Sequence, residues 1–168
     1  MFNKVIIIGK PNVGKSSLFN AIVKKKISIV DNYEGLTRDL IGQRVDFLER
    51  SYILYDSAGL RKPENKLEEL VQKNTFGRLK ECEIILIVFD GKENVTIDDQ
   101  TIIKRIRKLN KKVILVINKA EGRINEDTVD ECENFGLGEP IIVSASHNQG
   151  IGQLKLEINK NLSNVSKV

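Results

Sequence analysis

The sequence predicts an α/β fold: a mostly parallel sheet with helices on both faces, forming a three-layer sandwich. Three observations carry that prediction. Strand-like and helix-like segments alternate along nearly the whole chain, a pattern that produces parallel sheets with right-handed crossovers. Val5–Ile8 and Ile84–Phe89 are uninterrupted apolar runs of strand length, as expected of strands covered on both faces. At 168 residues the chain has the size of one domain, enough to bury roughly 70% of its unfolded surface without staples.

The elements follow in order. Residues 4–8 read as a buried strand. Residues 15–24 read as a helix with Leu18, Phe19, Ile22 and Val23 on one face. Residues 43–49 and 51–55 are short strands, joined tightly around Glu49-Arg50 in a hairpin. A helix is expected over 67–79 and a central strand over 84–89. The helix expected over 97–109 turns Ile102, Ile103, Ile106 and Leu109 inward. Residues 112–117 are another buried strand, 125–135 a polar helix, 140–143 a short strand and 151–162 a closing helix.

Composition excludes several classes. No apolar run approaches the ~18 residues of a membrane span. Met1-Phe2-Asn3-Lys4 leads directly into Val5, so no signal peptide is expected ahead of the first strand. Cys82 and Cys132 form no C-x-x-C pair, which argues against a zinc, redox or disulfide framework and for a reducing cytoplasm. The 27 basic and 23 acidic residues leave a net charge of +4, compatible with an RNA-bound partner without requiring one. Lys104, Arg105, Arg107, Lys108, Lys111 and Lys112 must point outward if Ile102, Ile106 and Leu109 point inward. They read as a weak RNA-facing patch or as a solvated helix face, and the second reading is favoured.

In open α/β sheets ligands bind beyond the carboxyl ends of the strands, so chemistry is sought just after each strand. The first is followed by Gly9-Lys10-Pro11-Asn12-Val13-Gly14-Lys15-Ser16. This is G-x-x-x-x-G-K-S, a phosphate loop (P-loop) whose glycines let backbone N–H groups face phosphate oxygens. Strand before and helix after separate it from a chance glycine-rich turn. Lys15 can reach the β- and γ-phosphates, Ser16 can ligate Mg²⁺, and Ser17 can reach the α-phosphate. After the third strand come Asp56-Ser57-Ala58-Gly59: a carboxylate able to hold Mg²⁺ through water, and a backbone N–H able to sense a γ-phosphate. D-x-x-G is weak alone and gains meaning from ending a strand.

After the fifth strand stand Asn118-Lys119-Ala120-Glu121. The N1 and N2 donors of guanine call for one carboxylate with two acceptor oxygens, which Glu121 supplies; adenine offers no such pair. The aliphatic stem of Lys119 can cover the base. Taken alone, these four residues read equally well as a polar turn. After the sixth strand, Ser144-Ala145-Ser146 lets the Ala145 N–H approach guanine O6, a motif of little specificity by itself. His147, the only histidine, reads as an exposed loop imidazole rather than an acid–base group, since phosphoryl transfer needs positioning and charge more than a histidine. The polar segment 31–39 sits where a nucleotide-sensing switch belongs: Thr37 can offer its hydroxyl to Mg²⁺, and Arg38 is an arginine finger or a partner of Asp31 or Asp39. A second switch is expected over 57–75.

Taken in order, these motifs resemble the translation-factor-related small GTPases, and most closely the first GTPase domain of the Der (EngA) family of bacterial double-GTPase ribosome-assembly factors. The resemblance rests on GKPNVGKSSLFN at 9–20, GLTRD at 35–39, DSAGL at 56–60, VINKAEGR at 116–123 and GLGEPIIVSASHNQGIGQL at 136–154, the last being the most discriminating. It covers residues 1–162 and implies a P-loop NTPase fold of the small GTPase G-domain type. It further implies binding of GTP and GDP, slow Mg²⁺-dependent hydrolysis, and a role in maturing the large ribosomal subunit through rRNA or protein contacts. It implies as well a second GTPase domain and a KH-type domain that this chain lacks, with residues 163–168 beginning the interdomain linker. Three positions depart from the family: Glu34 for proline, Leu36 for valine, and Glu121 for the commoner, shorter Asp.

Where many relatives place a water-orienting glutamine, this chain has Leu60. The resemblance then implies that Asn12 holds K⁺ against the phosphates; closure of the loop by Asn12 hydrogen bonds is the other reading. Two other classes share part of this pattern. A tRNA-modification GTPase domain of the MnmE kind shares the P-N-V-G-K-S loop but leaves GLGEP and S-A-x-H without a reason. The other is an ATP-dependent kinase or a pure nucleotide-binding module; Asn118-Lys119 with Glu121 speaks against ATP.

Overall fold

A computed structural model describes residues 2–24 and 42–163. Six strands form one sheet: β1 (Asn3–Ile8), β2 (Gly42–Phe47), β3 (Arg50–Tyr55), β4 (Ile84–Asp90), β5 (Lys112–Asn118) and β6 (Ile141–Ile142). Four helices lie between them, α1 (Lys15–Val23), α2 (Lys66–Leu79), α3 (Ile97–Arg107) and α4 (Glu126–Asn134), and α5 (Ile151–Asn161) follows β6. Every expected strand and helix is present, with ends within two residues of expectation. The sheet order is β2-β3-β1-β4-β5-β6, with β2 antiparallel to β3 and every other pairing parallel.

The apolar alternation of β1 divides the interior into two layers. Val5 and Ile7, with Tyr52, Leu54, Leu86 and Val116, meet Leu18, Phe19 and Ile22 of α1 and Leu154 and Ile158 of α5. Ile6 and Ile8, with Ile85, Ile87, Leu115 and Ile117, meet Leu79 of α2, Ile102, Ile103 and Ile106 of α3, and Cys132 of α4. Both faces are therefore covered, which is why β4 is buried at every residue and could be read from an unbroken apolar run. Cys82 and Cys132 lie in this second layer, where burial pushes each thiol up to about 12; neither is a ready nucleophile.

One local feature differs from expectation. The β2–β3 turn falls on Leu48-Glu49, one residue earlier than expected. Both residues adopt left-handed backbone, with φ of 48° and 66°. A two-residue hairpin needs that geometry to match the right-handed strand twist. Neither residue is glycine or asparagine, so the usual signal is missing from the sequence.

Helix starts are better marked. Asn65 accepts the Glu68 N–H at 2.8 Å, and Asn125 accepts those of Asp127 and Thr128. Thr96 and Asp99 form a reciprocal capping box at the start of α3. Helix α1 is different: its N-cap is Gly14, which has no side chain to offer, so its first N–H groups are of the kind that phosphate oxygens satisfy.

The chain leaves β1 toward β3 on one side and returns on the other as β4, so the loops that follow these strands diverge. That divergence opens a crevice above the centre of the sheet. Phe19, fully buried, fixes α1 and with it the phosphate loop. Phe19→Ala is expected to cost about 3–5 kcal/mol, read as a lower urea midpoint at unchanged m-value; an unmoved midpoint would show that α1 is held by something else.

Candidate functional site

The loops after β1, β3, β4, β5 and β6 converge at the carboxyl edge of the sheet. Residues 9–16 wrap the first turn of α1. Gly14 has φ of 92°, and a Cβ there would collide with the Asn118 amide, so only glycine fits. Lys15 is fully buried, its Nζ donating to Lys10 O at 2.8 Å. A buried ammonium resting on a loop carbonyl is already aimed along the space that the loop encloses.

Asp56, fully buried, ends β3 beside this loop. Its Oδ1 accepts the Ser57 N–H at 2.9 Å, and its Oδ2 accepts the Ser16 hydroxyl at 3.4 Å. A hydroxyl and a carboxylate oxygen at that spacing make a donor set suited to a hard divalent cation. The next residues are tied down firmly: Ser57 Oγ donates to Ile7 O at 2.7 Å, and the Leu60 N–H donates to Gly9 O at 2.8 Å. Gly59 packs so closely on Pro11 that an added Cβ would lie 2.6 Å from the proline ring and backbone. Leu60 is only 2% exposed, turned into the core beneath the phosphate loop.

Segment 57–75 buries more than its polar composition suggests. Arg61 pairs with Glu68 at 2.9 Å and Glu64 at 2.8 Å, and Gln72 Nε2 donates to Arg61 O at 2.6 Å. Glu68 and Gln72 are themselves buried. The other expected switch, with Thr37 and Arg38, lies outside the described residues.

The loop after β5 is organised by Asn118. Its Nδ2 donates to Val13 O at 3.0 Å and Gly14 O at 3.4 Å, while its Oδ1 accepts the Ala145 N–H at 3.0 Å. Its backbone oxygen accepts the Gly91 N–H at 2.7 Å. Lys119, with φ of 64°, extends Nζ to Asn12 O at 2.6 Å and Asp90 Oδ2 at 3.0 Å, laying its stem across the crevice. Glu121 accepts the Ser144 hydroxyl at 2.6 Å. That bond, its own backbone N–H and nearby His147 and Lys92 hold the carboxyl below the usual range. Glu121 therefore stands as an anion at neutral pH.

The structure thus brings together Gly9, Asn12, Val13, Gly14, Lys15, Ser16, Ser17, Asp56, Gly59, Asn118, Lys119, Glu121, Ser144, Ala145 and Ser146. One detail was not foreseen: the Ala145 N–H is held by Asn118, so a base oxygen there would share it. Three further residues belong to the site. Lys10 anchors the phosphate loop to α3 through Asp99 at 3.1 Å and Thr96 at 3.2 Å. Asp90 anchors Lys119, and Lys92 Nζ braces the base loop by donating to Glu121 O and to Arg123 O at 2.6 Å. Asp90 had a readable signal, a carboxylate ending a buried strand as Asp56 does; Lys10 and Lys92 had none. Of the basic set on and after α3, Arg105 stacks on Phe76 at 3.6 Å, Arg107 donates to Phe135 O, and Lys111 donates to Lys80 O at 2.9 Å. These contacts favour a solvated, internally braced face.

A phosphate loop combined with a carboxylate two residues beyond Lys119 defines the class: a P-loop GTPase domain. Residues 4–119 match the family of 50S ribosome-binding GTPases, and the chain belongs to that family. It is 42% identical over 163 residues to GTPase Der of Thermosipho melanesiensis, covering 94% of this chain and 37% of that protein. With GTPase Der of Aquifex aeolicus it shares 40% identity over 164 residues, covering 96% and 38%. The chain therefore spans little more than a third of the length of these relatives. The fold is also that of Era bound to MgGDPNP and a 16S ribosomal RNA segment, with a TM-score of 0.87, 30% identity and coverage of 99% of this chain and 58% of that one. An Aquifex aeolicus Era variant bound to GDP·AlF4− gives 0.80 at 30% identity, covering 97% and 58%.

Asn118→Ala removes partners from Val13, Gly14 and Ala145 together. Each buried group left unpaired costs about 1–3 kcal/mol. Guanine nucleotide affinity is expected to fall at least tenfold, measured by titration with a fluorescent GDP analogue; an unchanged Kd would remove Asn118 from the site's framework.

Proposed function

We propose that residues 1–162 bind GTP and hydrolyse it slowly to GDP and phosphate, and that residues 163–168 begin a linker to further domains. One observation carries this reading: the phosphate loop, the Asp56–Leu60 loop and Asn118 are joined by direct hydrogen bonds at one edge of the sheet. Lys15 transfers its Nζ from Lys10 O to the β- and γ-phosphate oxygens. The α1 N-terminus receives the phosphates, with Ser17 near the α-phosphate. Ser16 and Asp56 fit Mg²⁺, joined by Thr37, and the ion would neutralise charge on the β- and γ-oxygens. The Gly59 N–H meets the γ-phosphate. Glu121 accepts from guanine N1 and N2, Lys119 covers the base, and the Ala145 and Ser146 turn receives O6.

Hydrolysis lacks a glutamine after D-x-x-G, because Leu60 is a core residue. K⁺, if held by the Asn12 side chain within the phosphate loop, where the backbone is left-handed (φ of 67°), would supply the charge compensation that a glutamine-free site needs. The family match and the Der relatives support a partner on the large ribosomal subunit. The relatives extend well beyond the matched segment, which leaves room for the second GTPase domain and the KH-type domain that the Der resemblance implies for a whole protein placed in the cytoplasm. Among the described residues no helix is long and apolar enough to cross a membrane.

Phosphate release from GTP with Mg²⁺ tests the reading. Lys15→Ala is expected to lose most turnover and much affinity, because the transferring group loses its cation; wild-type rates in that variant would overturn the assignment of the loop. Turnover should be faster in K⁺ than in Na⁺ at equal ionic strength, with the preference lost in Asn12→Ala. Matched initial rates in the two salts would exclude the cation at Asn12.

A further inference from the structure

We propose that His147 is a specificity-positioning residue: through Ser144 it holds the longer carboxylate of Glu121 in place to read guanine, and does so best when Nδ1 carries a proton. The proposal rests on the reading of Glu121 as the base-recognition group. Its geometry is a short relay. Ser144 Oγ donates to Glu121 Oε1 at 2.6 Å, and His147 Nδ1 lies 3.1 Å from the same hydroxyl, 3.0 Å from Ser146 Oγ and 3.8 Å from Glu121 Oε1.

Ser144 has one hydroxyl proton, and beside Glu121 the His147 Nδ1 is a second acceptor for it in the tautomer that leaves Nδ1 bare. A neutral imidazole with a bare Nδ1 competes with Glu121 for that proton. Once Nδ1 is protonated it can only donate. It then donates to a serine oxygen, and the Ser144 proton is left to Glu121. A cation also appears beside the carboxylate. The added methylene of Glu121 gives this side chain an extra rotatable bond compared with Asp, so a second restraint has something to restrain. Ser144 itself is fully buried, whereas the His147 side chain is 57% exposed and open to exchange protons with water.

Other charges facing the cluster do not substitute for this one. Lys92, from the loop after β4, directs its Nζ at the backbone oxygens of Glu121 and Arg123. Lys119, from the same loop as Glu121, is held by Asp90 and Asn12. Helix α1, packed against the turn, carries one charged residue, Lys15, whose Nζ rests on Lys10 O.

The test is the ratio of GDP to IDP affinity, measured by competition on the 168-residue chain between about pH 5.5 and 8, the range in which histidines change charge. IDP lacks the exocyclic amine, so the ratio reports the carboxylate's grip on the base, and titration of the phosphates cancels. The wild-type ratio should rise on acidification by roughly two- to tenfold, the span of one net hydrogen bond. In His147→Ala it should be lower and flat with pH. In His147→Asn, which places a non-titrating N–H near the Nδ1 position, it should recover and stay flat. A pH-independent wild-type ratio, a ratio that falls on acidification, or an unaltered His147→Ala profile overturns the proposal. Glu121→Ala separates the two readings. A collapsed ratio there with an unaltered His147→Ala profile sinks only the role of His147, whereas an unchanged ratio in Glu121→Ala sinks the reading of Glu121 and this proposal with it.

Discussion

One side-chain amide joins the parts of this site. Asn118 donates to the phosphate loop at Val13 and Gly14, accepts from Ala145 in the loop after β6, and through its backbone oxygen holds Gly91 after β4. Three loops that are distant in sequence are thereby referred to one buried residue, 3% exposed. Backbone N–H and C=O groups in such loops have no sheet or helix partner, and burying them unpaired would be costly. An amide is the smallest side chain that can donate twice and accept at once, which a carboxylate or hydroxyl cannot match here. The same contact imposes glycine at position 14, since the amide occupies the space a Cβ would need.

The phosphate loop is held from its other sides as well. Leu60 donates to Gly9 O, Gly59 lies against Pro11, and Lys10 reaches the capping box of α3. The Lys10–Asp99 pair is almost entirely buried, with side chains 9% and 3% exposed. Such pairs add little net stability against an apolar replacement, yet breaking one leaves a costly lone charge. Its consequence is geometric: it ties the loop to the start of α3. Leu60 links the same loop to the Arg61–Glu68–Gln72 network that leads into α2.

Charge in this domain serves internal bracing more than a single-signed surface. Lys119, Lys92, Arg61, Arg105, Arg107 and Lys111 each contact a named internal partner. The net charge of +4 is the remainder of 27 basic and 23 acidic residues. In the loop after β5 one ionised carboxylate, Glu121, stands with the Ser144 hydroxyl and the His147 imidazole beside it.

The sequence by itself determined the sheet, the helices and the placement of the motifs. Apolar period and run length report burial directly, so β1, β4 and β5 and the inward face of α3 were readable from their own residues. The phosphate loop, Asp56 and the Asn118–Glu121 loop could be singled out as candidates because each places chemically distinctive groups at short spacing just after a strand. The Leu48-Glu49 turn was not, since its left-handed backbone is imposed by the twist of paired strands rather than by its residues. Lys10 reaching Asp99, Asn118 holding Ala145, and Ser144 standing between Glu121 and His147 were decided only by tertiary structure. Each joins residues 23 to 89 positions apart or turns on which of several donors meets which acceptor. That matching depends on the three-dimensional approach of loops whose sequences carry no record of one another.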